Sequence, residues 1–311
     1  PHLSLFRARE TARANSLSSY LVSILMTGDP EWSKFLETEA RVHFVAFGDH
    51  RLRVIECGAG EPLLLVHGFA DYAYAWHRNL KPLAEAGFRA IAFDYPGCGE
   101  SALPEGFRFG VDDLAQAVLG LLDGVGIEHA HLVGHSMGGG IGLQLALHNP
   151  DRLRRVVLAA PVCYHTYYRP FIYLFRWPPF HALARLVTGP WMAWPTLVVE
   201  YADTALLTPQ VVAQYRLALR RPEYVRACHM LLRDYWNEAF AETARRYGEI
   251  AVPLRLIWGG RDTTVSGRDV RRLAGDTGAG LAVVPGAGHL FNQARPELFN
   301  QMVARFLQEV G

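Results

Sequence analysis

Three side chains able together to cleave an acyl bond lie far apart in this chain: Ser136, Asp262 and His289. Ser136 is the centre of Gly134-His135-Ser136-Met137-Gly138, a G-x-S-x-G pentapeptide. A serine on a sharp strand-to-helix turn sits in strained backbone, and neighbours without a Cβ let such a turn close. The turn also sets the serine at a helix N-terminus, where free amides and the helix dipole favour developing negative charge. A hydroxyl is a weak nucleophile until a base removes its proton, and a histidine, which titrates near neutrality, suits that task. Among thirteen histidines, His289 is set apart by its place in Pro285-Gly286-Ala287-Gly288-His289, a loop between an apolar run and a C-terminal helical pattern. His135 adjoins the nucleophile but should point away from it on so tight a turn, and reads as packing. Asp262 closes Trp258-Gly259-Gly260-Arg261-Asp262 and could orient the imidazole and stabilise its charged form. An acyl-transfer site also needs donors for the oxyanion. The backbone N–H of Met137 is one candidate, and that of Phe69, in the turn His67-Gly68-Phe69, is the other.

The elements that must hold these residues follow from hydrophobic patterning. Residues 41–47 and 52–57 read as two strands joined at Gly48-Asp49. Near-continuous apolar runs at 62–66, 89–94, 129–134, 155–160, 254–258 and 281–284 read as strands buried on both faces, hence a mostly parallel sheet. Helical patterns at 73–86, 111–125, 137–148, 267–274 and 291–309 lie between them, which is the α/β alternation. Ser136, Asp262, His289 and Phe69 each follow a strand. From 162 to 250 the alternation stops. About 90 residues is too long for a plain loop, so this stretch reads as an inserted, mostly helical cap, with helices at 211–220 and 223–236. Residues 1–40 read as a separate extension, helical in pattern, with Leu17, Leu21, Ile24 and Leu25 on one face. Packing of that face on the cap or core is favoured over membrane contact.

Taken together, HGF at His67, DYPGCGES at Asp94, GHSMGG at Gly134, GGRD at Gly259 and GAGH at Gly286 give the chain a resemblance to α/β-hydrolase-fold serine hydrolases of the capped esterase and lipase type. The resemblance runs from about Arg41 to the C-terminus, and covers the cap in position and length alone. It implies the chain order Ser136, Asp262, His289 for the triad. Some members carry the acid one strand earlier, but Ala159-Ala160-Pro161 offers no carboxylate there. Haloalkane dehalogenases and epoxide hydrolases resemble the same fold but use an Asp nucleophile, whose place Ser136 takes. Meta-cleavage (C–C bond) hydrolases share the triad, although they usually show a longer Gly-rich loop than His67-Gly68-Phe69-Ala70-Asp71. The DYPGCGES segment reads as structural, Cys98 included.

Composition sets the outer limits. A formal net charge of +1 argues against a general nucleic-acid binder. Four dispersed cysteines without a CxxC suggest neither a disulfide framework nor a zinc site, and point to a reducing cytoplasm. No apolar run reaches the ~20 residues of a membrane span, and a first residue of Pro1 leaves room for a removed leader. Residues 164–194 hold ten aromatics and no Asp or Glu, with Arg169, Arg176 and Arg185 as the charges. As part of a cap, this stretch suggests that Tyr164, Tyr168, Phe171, Phe175, Trp177 and Trp191 contact an apolar substrate. Gluing the cap to the core is the equal alternative, and peripheral contact with lipid a third. The expected activity is two-step hydrolysis of a neutral ester with a medium or long acyl chain or a bulky apolar group, without metal or cofactor. A C–C bond hydrolase or lactonase using the same triad is the alternative, and a non-catalytic binding protein on this fold is the reading from another class.

Overall fold

The computed structural model describes residues 28–164 and 178–309. Eight strands form one sheet in the order β1-β2-β4-β3-β5-β6-β7-β8. They are β1 (Arg41–Phe47), β2 (His50–Cys57), β3 (Glu61–Val66), β4 (Phe88–Phe93), β5 (Ala130–His135), β6 (Leu153–Ala159), β7 (Leu254–Gly259) and β8 (Gly280–Val284). β1 and β2 pair as an antiparallel hairpin, β2 runs antiparallel to β4, and every pair from β4 through β8 is parallel. The continuous apolar runs are explained by this arrangement: all of β5 and the last four residues of β3, β4, β6 and β7 are buried, because helices cover both faces.

Along the chain the helices are α1 (Pro30–Thr38), α2 (Leu80–Glu85), α3 (Val111–Gly124), α4 (Met137–His148), α5 (Pro178–Val187), α6 (Ala193–Tyr201), α7 (Pro209–Ala218), α8 (Pro222–Asp234), α9 (Glu238–Arg245), α10 (Gly267–Thr277), α11 (Phe291–Ala294) and α12 (Pro296–Leu307). Ten consecutive residues of α4, from Met137 to Ala146, are buried, so this helix is walled in on every side. Helices α5 to α9 all fall between β6 and β7, where the alternation was expected to stop.

Two helical expectations need correction. The stretch 73–86 divides into a 3-10 turn (Ala73–Trp76) and α2, and 291–309 divides into α11 and α12. Proline explains both divisions, because it lacks an N–H and its ring clashes with the preceding turn. Pro82 is tolerated within the first turn of α2, and Pro296 opens α12 after Arg295 has left the helical region (φ −136°, ψ 59°). The division before α2 is also used: Asn79 is fully buried and donates through Nδ2 to the Asn292 carbonyl (3.1 Å) and Asn300 Oδ1 (2.8 Å). No described helix is long and apolar enough to cross a membrane.

Candidate active site

The four expected elements of the site all leave the sheet at the carboxyl ends of parallel strands: His67-Gly68-Phe69 after β3, Ser136 after β5, Asp262 after β7 and His289 after β8. Open α/β sheets bind their ligands at that edge.

Ser136 stands between β5 and α4 with φ 54° and ψ −116°, a conformation disfavoured for a residue with a Cβ. The surroundings enforce it. The Ser136 amide donates to the Ala159 carbonyl of β6 (2.9 Å), and its carbonyl accepts from the Val162 and Gly139 amides (2.9 Å each). Gly138 is required by close approach: a Cβ there would run into the carbonyl oxygens of Val66 and His67. The β3 loop lies directly against the serine, since a Cβ built on Gly68 would be 3.1 Å from that of Ser136. His67 shapes this loop. Burial pulls its pKa down to about 4, its Nδ1 bonds the Gly68 carbonyl (2.9 Å), and its Nε2 accepts from the Tyr95 amide (3.3 Å). Ala70, one residue past Phe69, takes the left-handed conformation (φ 51°). Met137 is the first residue of α4, so its amide has no intrahelical acceptor to serve.

Asp262 and His289 meet directly. His289 Nδ1 donates to Asp262 Oδ2 at 2.8 Å, while Oδ1 accepts from the amides of Thr264 (2.8 Å) and Val265 (2.9 Å). The Asp262 side chain is completely shielded from solvent. Burial opposes its charge, but His289 and the two amides more than compensate and hold its pKa below the usual carboxylate value. For His289, burial favours the neutral form, yet Asp262, Glu200 and Asp71 together push the pKa up to about 9. This hydrogen bond leaves Nε2 as the ring nitrogen available to the serine.

His135 does more than pack. Its Nε2 bonds the His289 carbonyl (3.0 Å), and the two rings lie 4.7 Å apart, so the residue before Ser136 holds the backbone of the His289 loop. Burial keeps it neutral, with the pKa lowered to about 3. The residues between β6 and β7 grip the same loop. The Glu200 carbonyl accepts from the Leu290 amide (3.0 Å), and a Cβ on Gly288 would be 2.6 Å from that carbonyl oxygen. The Glu200 carboxylate accepts from Thr264 Oγ1 (2.9 Å), two residues past Asp262. Tyr235, at the end of α8, donates to the Met137 carbonyl (3.0 Å). Sequence reasoning missed His135, Glu200 and Tyr235 as supports. A polar residue next to Ser136 was a visible signal for the first, and nothing local marked the other two.

Of the six side chains expected to contact substrate, Tyr164 and Trp191 lie among the described residues. Tyr164 is buried, but its hydroxyl donates to Asp276 (2.6 Å) and its ring packs on Tyr247 and beneath Arg272, so it fastens the β6 exit to α10. Trp191 faces outward, 64% exposed. Tyr168, Phe171, Phe175 and Trp177 lie outside the described residues. The buried aromatics here come instead from further along: Tyr201, Tyr215, Tyr224 and Tyr235. The DYPGCGES segment is a structural turn. Asp94 accepts from the Ala73 (2.7 Å) and Glu100 (2.9 Å) amides, and Cys98 is buried with a thiol pKa raised well above normal. Among the described residues no group of three His, Cys, Asp or Glu side chains could hold a metal ion.

Residues 61–293 match the family model of the α/β hydrolase fold, and the chain belongs to that family of hydrolases. It is similar to the dihydrolipoyllysine-residue acetyltransferase component of the acetoin cleaving system of Pseudomonas putida, with 31% identity over 84% of this chain and 68% of that protein. It is also similar to the 2-hydroxy-6-oxo-6-phenylhexa-2,4-dienoate hydrolase of Comamonas testosteroni, with 27% identity over 87% and 96% of the two chains. Among solved structures, a hydrolase from Pseudomonas aeruginosa superposes with a TM-score of 0.71 at 28% identity, over 86% of this chain and 99% of that one.

Proposed function

We propose that the protein is a serine hydrolase that cleaves carboxylic esters with an apolar acyl group. The observation that carries this reading is the 2.8 Å bond between His289 Nδ1 and Asp262 Oδ2, in a site where Ser136 is held at positive φ at the end of β5, on the same edge of the sheet. His289 Nε2 takes the Ser136 proton as Oγ attacks the carbonyl, and Asp262 stabilises the imidazolium. The Phe69 and Met137 amides hold the oxyanion. His289 then gives its proton to the leaving alcohol. The acyl-enzyme is hydrolysed by a water that the same histidine activates. The residues between β6 and β7 act as a cap, and the preference for apolar esters rests on the tyrosines that the cap brings inward. Burying each methylene of an acyl chain is worth about 0.8 kcal/mol, so longer esters should gain in kcat/KM.

A fluorophosphonate probe tests the nucleophile, with labelling expected on the native protein and absent in Ser136→Ala. A p-nitrophenyl ester series tests the acyl preference, and activity falling steadily beyond acetate would remove it. The second reading, hydrolysis of a C–C bond in a meta-cleavage product, is favoured by the Comamonas relative's name. Turnover of a vinylogous 1,5-diketone in preference to any ester would install it instead.

A further inference from the structure

Asp71, two residues past Phe69, is a carboxylate that the chemistry above does not use. It is 3% exposed. Its Oδ1 accepts from the Tyr215 hydroxyl at 2.6 Å and from the Tyr72 amide at 3.1 Å. The Tyr215 hydroxyl accepts from Gln293 Nε2 (2.9 Å), and Gln293 Oε1 accepts from the Tyr201 hydroxyl (3.1 Å). One buried relay, Tyr201–Gln293–Tyr215–Asp71, therefore joins α6 and α7 of the insertion to the loop after β3 and to α11, four residues past His289.

We propose that Asp71 is a positioning residue through which the insertion acts on the triad: clamped by Tyr215, its carboxylate supports the His289 imidazolium as a negative charge additional to that of Asp262. This inference rests on the serine hydrolase reading. His289 interacts electrostatically with Asp262, Glu200, Asp71 and His135, and Asp71 with His289, Asp94, Cys98, Tyr72, Tyr201, Tyr215, Tyr224 and Cys228. Burial, opposed by the Tyr215 and Tyr72 hydrogen bonds and by His289, leaves the Asp71 pKa at about 7, whereas that of His289 is about 9. Asp71 is thus already charged over the range in which His289 gives up its proton. Removing that charge must lower the pH at which His289 becomes a base.

The test is the rate of fluorophosphonate labelling of the full chain as a function of pH, for the native protein, Asp71→Asn and Tyr215→Phe. Asparagine retains an oxygen for Tyr215 and Tyr72 but has no charge. Its acid limb is expected to move down by about half a pH unit, as for loss of a modest neighbouring charge. On the limb, labelling relative to its own plateau then rises roughly threefold. Tyr215→Phe keeps the carboxylate but lets it hold its proton to higher pH, so its limb should move the same way by less. A native-like limb in Asp71→Asn overturns the proposal. So does an upward shift in Tyr215→Phe, and if Asp71→Asn fails to fold, an unshifted Tyr215→Phe does so alone. A native protein that does not label at any pH overturns the hydrolase reading, and this inference with it.

Discussion

The sheet and the β6–β7 insertion use apolar residues in opposite ways. In the sheet, position and burial coincide: Leu63, Leu64, Leu65, Leu132, Val133, Val157 and Leu158 have no exposure. In the first part of the insertion they do not, and Leu183, Leu186, Val187, Trp191, Trp194 and Val199 are 50–83% exposed. In its later part Tyr201, Tyr215, Tyr224 and Tyr235 are buried and three of them bond groups at the site. The difference shows a division of labour. The sheet fixes where the candidate catalytic groups stand, and the insertion reaches in with a few long polar-tipped rings to brace the loops that carry them. A tyrosine suits this because its ring is buried favourably while its hydroxyl can still meet a carboxylate or carbonyl.

Several variants would break or sharpen that comparison. The largest effect belongs to the sheet's strand ends: Ser136→Ala should lower kcat for a p-nitrophenyl ester by about 10⁴-fold or more without shifting the thermal midpoint downward by much. A comparable loss from an insertion variant would erase the division. Next comes pH. In the proposed mechanism neutral His289 is the base, so kcat/KM should fall about tenfold per unit as pH drops below about 9. The same raised pKa stabilises the folded state when His289 is protonated. That contribution is complete below its ordinary value and lost as pH rises through about 9, so melting curves and activity profiles should trend in opposite directions there.

Smaller effects probe the brace itself. Gly288→Val forces a side chain against the Glu200 and Tyr201 backbone and should cost about 1–3 kcal/mol in denaturant unfolding, with kcat reduced more than KM is changed. Tyr235→Phe removes the bond to the Met137 carbonyl and should cost about 1 kcal/mol, read in the same titration. Smallest of all, Leu186→Ser on the outward face of α5 should alter stability by no more than ~0.5 kcal/mol. A large loss there would mean that this face is covered in solution.

Much of the site was legible before any fold was known. Ser136 was marked by glycines that a tight strand-to-helix turn requires, and Asp262 and His289 by loops that each follow an apolar run. These are local signals, and the parallel sheet converts them into proximity by bringing strand ends to one edge. The helix divisions before Pro82 and at Pro296 were legible too, but the apolar periodicity continued through both and outweighed the prolines. The aromatic density of 164–194 left the direction of its rings open for a different reason. Composition measures how much apolar surface a segment has, not which way it faces, and Tyr164 and Trp191 turned toward α10 and outward.

The sequence by itself determined the alternating architecture, the β6–β7 insertion and which three groups stand as catalytic candidates, because each depends on residues within a few positions of one another. The tertiary structure decided how those groups are supported. Asp71 meets Tyr215 across 144 positions, His135 meets the His289 carbonyl across 154, and Tyr235 meets Met137 across 98. Such bonds have no period and no motif. They exist because separately folded elements converge on one buried volume, where every polar group excluded from water must find a partner.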